Sequence, residues 1–564
     1  MTKDRLRLWA LAGMVAGLVV TVHWPVLSAT AMSFDDQQYV LHNRLVLNPS
    51  LVSAARFMGE VRDPSTVHGY YQPLAMISLM LDAAAGGRPD YFRPFHRTSL
   101  ALHVLNTLLV MAIVQALFGQ PYVAAAVALL FGLHPLTVEP IAWVGERKTP
   151  LAAFFALSAI ATYIGYARAR SSLRLAATAL LYVLALLSKP TSTPLPVILL
   201  LLDWWPLRRL SGRALLEKLP LFALGGLSAI ITVVSQTASA ITILPGEYPP
   251  LRIPLVLCHN VIFYLHKLLW PTGLSPHYAF PEPMSLAHGA VAAGVIGSVM
   301  LAAVLLLSLR WTRAWLAGWL IFFAAALPTM GVIGFTDVIA ADKFAYLPAI
   351  GLLAALAATA GELWRHAGAR LRGVLVVVLL VALAAEARAT RRQLGYWADS
   401  DTLSGRVVAL APQSPSARGL RGAVMFAAGR LEEAIEQYSA ATSLRPEFAE
   451  AHHNLGAAIA LKGDLDTAIV EYREAIRYSR EPNPDVHYDL GTALALSGEL
   501  GEAIEQFRQA LRLNPELPEV HFNLAIALAQ TGRPADSAAH LREALRLRPG
   551  WPEAEHSLAA VLAQ

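Results

Sequence analysis

The chain has 564 residues, 55% of them hydrophobic and 15% charged, with a mean hydropathy of +0.48. That composition excludes a single soluble domain and points to a protein built in part within a membrane. A net charge of +5 does not signal nucleic-acid binding, because the basic residues lie between apolar runs and form no single stripe. The lone cysteine, Cys258, excludes an intrachain disulfide and any cysteine-based zinc spacing.

The N-terminus has a basic start, an apolar run over 8–27 and a small-residue "ATA". A cleavable leader is the competing reading, but the run approaches full span length and many others follow, so an uncleaved first helix is expected. Further apolar runs follow near 98–118, 121–136, 150–167, 173–188, 191–205, 219–237, 254–270, 287–309, 314–333, 344–362 and 373–388. Basic clusters at Lys3/Arg5/Arg7, Arg168/Arg170/Arg174, Arg208/Arg209/Arg213/Lys218, Arg310/Arg313 and Arg365/Arg370/Arg372 mark cytoplasmic ends. They agree with one another only if 254–270, which carries two histidines, Asn260 and Lys267, is interfacial or re-entrant. About eleven spans over residues 1–390 result, with a large outside loop at 28–97 and the C-terminal part outside the cytoplasm.

After a connector at 391–414, residues 415–564 repeat every 34 or 35 residues. Gly422, Gly456, Gly491 and Ala525 align, as do Ala434, Ala468, Ala503 and Ser537, and again Ala441, Ala475, Ala510 and Ala544. Small residues at fixed offsets are what two close-packed helices per repeat require, so four tetratricopeptide repeats and a closing helix are expected. Asn454, Asp489 and Asn523 share one position of the first helices, where side-chain amides could hold an extended acceptor peptide. Repeat consensus is the structural alternative.

The outside loops hold the polar residues that span-building does not explain. Asp35 and Asp36 follow the first span; one could serve as a general base toward a hydroxyl, the other capping a helix, orienting its neighbour or contacting a metal. His134 and Glu139 lie in "HPLTVEPIAWVGERK". Arg147, Lys148, Lys189 and Lys343 stand at helix ends against the positive-inside trend, where fixed cations suit a lipid-linked phosphate; snorkelling to ordinary lipid is the alternative. Asp342 and Tyr346 flank Lys343 in "FTDVIAADKFAYLP".

The stretches "FDDQQYV", "YYQPLAMISLMLD", "FHRTSLALHVLNTLLV", "FGLHPLTVEPIAWVGERK", "LLSKPTSTPLPVILLLLDWWPL", "ADKFAYLPAIGLL" and "YWADSDTL", followed by the repeats, together resemble the transmembrane and tetratricopeptide repeat-containing family. Its eukaryotic members are protein O-mannosyltransferases. The resemblance covers essentially the whole chain. It implies an all-α architecture: a polytopic transmembrane C-type glycosyltransferase module followed by an α-solenoid. It also implies a polyprenyl-phosphate sugar donor, with Asp35 and Asp36 as the acidic pair and Glu139, Arg147, Lys148 and Lys343 matching the other loop motifs. Bacterial relatives often read "ADRYTYLP" where this chain has "ADKFAYLP": Lys343 keeps the cation without bidentate geometry, and Phe344 lacks a hydroxyl.

The sequence thus leads to an integral-membrane enzyme, a polyprenyl-phosphate-sugar-dependent glycosyltransferase acting on a protein Ser/Thr hydroxyl at the non-cytoplasmic face. Asp35, Asp36 and Glu139 are the catalytic candidates. Arg147, Lys148, Lys189 and Lys343 are the donor-phosphate candidates, His134, Asp342 and Tyr346 their support, and Asn454, Asp489 and Asn523 the acceptor contacts. The partners are membrane lipid, the lipid-linked donor and a protein or peptide acceptor, with no nucleic acid; a divalent cation is compatible with the acidic pair but not required by it. The same chemistry on a lipid or glycan acceptor, with the repeats docking an assembly complex, is the first alternative, and a non-catalytic scaffold the second. Ala, Leu and Arg richness favours a bacterial inner membrane, with the repeats in the periplasm.

Overall fold

The computed structural model describes all residues except 1–2, 31, 33–35, 60, 62–66, 68, 70, 240–248, 282, 333–337, 480 and 564, and all side chains of the remainder except those of 4 and 237–239. The chain divides into two units, Met1–Arg406 and Val407–Gln564. The division falls inside the expected connector, and much of 391–414 is helical: one helix runs on to Tyr396 and another covers Ser400–Leu410.

In the first unit the central element is the 26-residue helix Arg93–Phe118, packed against Lys3–His23, Pro121–Gly132 and Lys148–Ala169. At about 1.5 Å per residue such a helix is longer than the ~30 Å hydrocarbon core of a bilayer. Val110, Met111, Val114, Ala124, Leu129, Leu157 and Ile160 form its shared core. Among the described residues six helices are long and apolar enough to cross a membrane: Arg5–Ser28, Arg93–Phe118, Val144–Ala169, Gly212–Gln236, Gly289–Ser308 and Ala369–Tyr396. A seventh is reached if Pro121–Gly132 and Pro135–Ala142, bent by 56° to each other, count as one.

Several of the expected runs fold as helices shorter than a full span, for local reasons. Proline cannot continue a helix without losing a hydrogen bond. The run at 173–188 ends before Pro190 as a 17-residue helix, and the next, 191–205, folds as only Leu195–Trp204 before Pro206. The run at 314–333 gives the 13-residue helix Ala314–Ala326 before Pro328. The 254–270 segment, expected at the interface or as a re-entrant loop, is one unbroken helix, Arg252–Leu269. Its Asn260 is buried and donates to the Met330 and Ile339 carbonyls at 3.3 and 3.0 Å.

Residues 28–97, expected as a loop, carry structure of their own. Asn43 caps the turn Arg44–Leu47 by accepting from the Leu45 and Val46 amides, and the helices Leu51–Gly59 and Pro73–Ala84 follow. Helices Ala314–Ala326 and Ala349–His366 meet backbone to backbone: a Cβ added at Gly318 would lie 2.5 Å from the Gly351 carbonyl oxygen. The described strands are two short ones, β1 (Tyr278–Ala279) and β2 (Val338–Ala340), paired antiparallel with Tyr278 opposite Ala340.

The second unit consists of the helix pairs Pro415–Ala427/Leu431–Leu444, Ala449–Leu461/Leu465–Tyr478, Pro484–Ser497/Leu500–Leu513 and Pro518–Gln530/Pro534–Leu547, closed by Pro552–Leu562. The aligned glycines are required by their neighbours across each pair. A Cβ at Gly422, Gly456 or Gly491 would come within 2.6, 2.9 or 2.8 Å of the ring of Tyr438, Tyr472 or Phe507. In the fourth repeat the corresponding partner is the smaller Leu541, and alanine is accommodated at Ala525.

Candidate active site

The site is built on the chain between Pro121–Gly132 and Lys148–Ala169. His134 turns this segment: its Nδ1 accepts from the Leu136 amide at 3.2 Å and its Nε2 lies 3.0 Å from the Leu268 carbonyl oxygen. Both nitrogens are therefore in structural use. After the short helix Val138–Ala142, a 3-10 turn Val144–Arg147 leads directly into the long helix. Successive residues of such a turn point to different sides, so Arg147 parts company with Glu146 and Lys148.

Arg147 turns inward. Its side chain is 0% exposed and pairs with Asp82 at 2.7 Å. It also donates to Ser99 Oγ and Ser78 Oγ, each at 3.0 Å, and to the Phe95 carbonyl. That arrangement fixes Pro73–Ala84 and Arg93–Phe118 to the segment and commits the guanidinium to protein partners, unlike the donor-phosphate contact expected of it.

The three lysines converge instead on Glu146. Its Oε1 lies 2.9 Å from Lys343 Nζ and 3.5 Å from Lys148 Nζ, and its Oε2 lies 3.1 Å from Lys189 Nζ. Thr149 Oγ1 donates to Oε2 at 2.7 Å and accepts from Lys189 at 2.8 Å. Lys148 also donates to Tyr39 Oη at 2.9 Å, and Gln72 donates to the same hydroxyl. Glu139 accepts the Lys343 amide at 3.0 Å and lies 3.7 Å from its ammonium, which sits 4.1 Å from the centre of the Trp143 ring. Burial pulls the Lys189 ammonium down from 10.5 to about 8, against the raising effect of Glu146.

Asp342 comes beside this cluster through the β1–β2 pairing, accepting from Tyr278 Oη at 2.8 Å. Its other oxygen is buried without a hydrogen-bond partner. Burial first, then the Glu139 carboxylate, raise its carboxyl well above the usual range. Tyr346 belongs to the core: its hydroxyl meets His103 Nδ1 at 2.8 Å and Asn106 Nδ2 at 3.1 Å.

Of the acidic pair, Asp35 lies outside the described residues. Asp36 is buried, with Oδ2 accepting from the Met32 amide at 2.9 Å and Oδ1 from the Gly145 amide at 2.6 Å. It ties the start of the first loop to the residue preceding Glu146. Among the described residues no three His, Cys, Asp or Glu side chains form a metal-holding group.

Beside the lysines lies a small, partly open cleft of about 30 Å³. Its lining includes the polar residues Thr149, Lys189, Thr191, Ser192 and Lys343 and the apolar residues Ala152, Ala153, Ala325, Phe344 and Leu347. In the repeats, Asp489 pairs with His453 at 2.7 Å and Asn523 donates to Tyr488 Oη at 3.2 Å, while Asn454 is half-buried. Sequence reasoning missed Glu146, Thr149, Tyr39 and Tyr278. The signal for Glu146 was present: several buried ammonium groups require a carboxylate among them, and "GERK" supplies one.

Comparison with known proteins bears first on the repeats. The tetratricopeptide repeat family is matched over 422–463 and 491–532, and again over 518–551. The chain is 24% identical to protein O-mannosyl-transferase Tmtc1 of Drosophila melanogaster over 525 residues, covering 75% of this chain and 60% of that protein. This coverage exceeds either unit alone, so the likeness is not confined to the repeats. The chain is thus similar to protein O-mannosyl-transferases over more than its repeats. It is also 28% identical to Drosophila Tmtc2 over 267 residues, 43% of this chain and 28% of that one. With mouse TMTC1 it shares 32% over 113 residues, 20% of this chain and 12% of the other. The chain therefore spans less than two thirds of the length of these relatives. Among solved structures, YrrB, a TPR protein with an unusual peptide-binding site, aligns at 21% identity over 28% of this chain and 82% of its own, with a TM-score of 0.27.

Proposed function

We propose that the protein is an integral-membrane glycosyltransferase that moves a sugar from a polyprenyl phosphate to a Ser/Thr hydroxyl of a polypeptide. The observation that carries this reading is the cleft beside the lysines. Its lining combines Lys189, Lys343, Thr149 and Ser192, which suit a phosphate, with Ala152, Ala153, Ala325 and Leu347, which suit an isoprenoid chain. The protein O-mannosyl-transferases among its relatives support the reaction class.

In the proposed step the acceptor hydroxyl gives its proton to a carboxylate, and its oxygen bonds to the anomeric carbon of the sugar. The bond from that carbon to the phosphate oxygen breaks, and the electron pair leaves on the lipid phosphate. Because both Asp36 oxygens hold backbone amides, Asp35 is the proposed base and Asp36 its positioning neighbour. Lys148, Lys189 and Lys343 hold the phosphate, and Arg147 braces the segment that presents them. The repeats hold the acceptor, with Asn454, Asp489 and Asn523 on the contacting face. The basic clusters support a site at the non-cytoplasmic face, which for a bacterial inner membrane places the repeats in the periplasm.

The test is transfer of radiolabelled mannose and other hexoses from polyprenyl-phosphate donors into protein. Label entering protein with the wild type and lost with Asp35→Asn at matched folding supports the reading. Transfer that survives Asp35→Asn moves the base to Glu139, and label entering only lipid or glycan removes the protein acceptor.

A further inference from the structure

Glu146 occupies the place between the lysines where the reading above puts a phosphate. Its side chain is 3% exposed, and its two oxygens meet Lys343, Lys148 and Lys189 at 2.9, 3.5 and 3.1 Å. The Thr149 hydroxyl completes the set at 2.7 Å. A ring of ammonium groups plus a hydroxyl around a bidentate anion is the coordination a phosphate would seek, and here a carboxylate of the chain already has it. Glu139, whose carboxyl burial raises to about 7, lies 3.7 Å from Lys343, and Asp36 stands against Gly145, the residue before Glu146.

This occupancy has a consequence for turnover. A lipid-linked sugar is a phosphodiester with a single negative charge. The lipid phosphate left after transfer is a monoester, carrying about −1.5 to −2 at neutral pH. Repulsion from a fixed carboxylate scales with the charge on the ligand, so Glu146 opposes the product roughly twice as strongly as the donor. A lysine cluster without this carboxylate would hold the dianion more tightly still and trap the product.

We propose that Glu146 is a built-in counter-anion that lowers the lysine site's preference for the dianionic phosphomonoester product over the monoanionic phosphodiester donor and so speeds product release. The proposal rests on the phosphate-binding reading of this cleft. Glu146 acts through the lysines and the ligand charge and does not touch the reacting atoms, so it is a specificity and positioning residue.

The test uses the purified full chain in detergent and two probes sharing one short isoprenoid tail, citronellyl phosphate and its methyl diester. With Glu146→Gln at neutral pH, the monoester should bind on the order of tenfold more tightly and the diester only about threefold. Glu146→Asp, which retains the charge, should restore the wild-type ratio between the probes. A second measurement uses pH. As pH rises from 5.5 to 7.5 the monoester gains its second charge near pH 6, and its affinity relative to the diester should rise by about threefold less in the wild type than in Glu146→Gln. Equal tightening of both probes, weakening of both in a folded Glu146→Gln protein, or the same relative gain by the monoester across that pH range in both proteins overturns the proposal and leaves the phosphate site standing. Failure of the wild type to bind either probe overturns the phosphate reading with it.

Discussion

Removing the Asp82 charge tests whether Arg147 is a structural brace or a donor contact. Asp82→Asn leaves a fully buried guanidinium, 2.7 Å from its former partner, with the Ser78, Ser99 and Phe95 acceptors but no counter-charge. Breaking one side of a buried pair costs ~3–5 kcal/mol, and the remaining acceptors place this case at the low end, about 3 kcal/mol. That is about a hundredfold in the folded-to-unfolded ratio. The assay is a double-mutant cycle of Asp82→Leu, Arg147→Met and the pair, read as thermal inactivation in detergent, with Asp82→Asn as the isosteric check. Because an apolar pair leaves no orphan charge, the double variant should lose less than the sum of the singles, by about 2 kcal/mol. At matched folded fraction, Asp82→Asn should leave the KM for the lipid donor within about twofold, since the guanidinium does not face the lysine cleft. Unchanged stability in Asp82→Asn together with a tenfold or larger change in donor KM would refute the brace and return Arg147 to the phosphate.

Asp36→Asn should lower stability by about 1–3 kcal/mol in the same assay, because the amide end presents N–H groups to one of the two backbone amides that Asp36 accepts from; Asp35→Asn should abolish transfer with little change in stability. Gly491→Ala puts a Cβ 2.8 Å from the Phe507 ring and should destabilise the repeats by about 1–3 kcal/mol by overpacking, whereas Gly501→Ala, with nothing within 4 Å, should be neutral or stabilising by up to ~1 kcal/mol in calorimetry. Lys189 carries its charge below about 8 and loses it above, so affinity for a phosphodiester probe should fall as pH rises from 8 toward 10. Between about 8 and 10.5 the unfolded chain retains that proton and the folded chain does not, so the linkage of Lys189 alone raises stability with pH over the window in which anion binding weakens.

The repeats were legible because their signal is steric. Gly422, Gly456 and Gly491 face an aromatic ring across each helix pair, and that requirement recurs at a fixed spacing that the sequence displays directly. Helix lengths within the apolar runs were less so: hydropathy separates 173–188 from 191–205 but does not show that the second folds as only the ten-residue helix Leu195–Trp204, bounded by Pro194 and Pro206. At the site, the sequence identified Lys148, Lys189 and Lys343 as cations out of place, but they lie far apart in the chain and their meeting point, Glu146, is a property of the fold. Arg147 looked equivalent to Lys148 because the two are adjacent; a turn of helix sends one to Asp82 and the other to Tyr39. Asp342 and Glu139, 203 residues apart in sequence, are neighbours through the Lys343 backbone amide.

Photo-crosslinking can establish whether the lysine cleft holds a lipid phosphate. A short polyprenyl phosphate-mannose analogue with a diazirine near the phosphate, applied to the full-length protein and mapped by mass spectrometry, should label peptides containing Ala152, Ala153, Phe344 and Leu347, with labelling competed by unmodified donor and lost in Lys189→Met/Lys343→Met. Competed labelling confined to other segments, or labelling of the cleft that survives loss of both lysines, would place the lipid phosphate elsewhere.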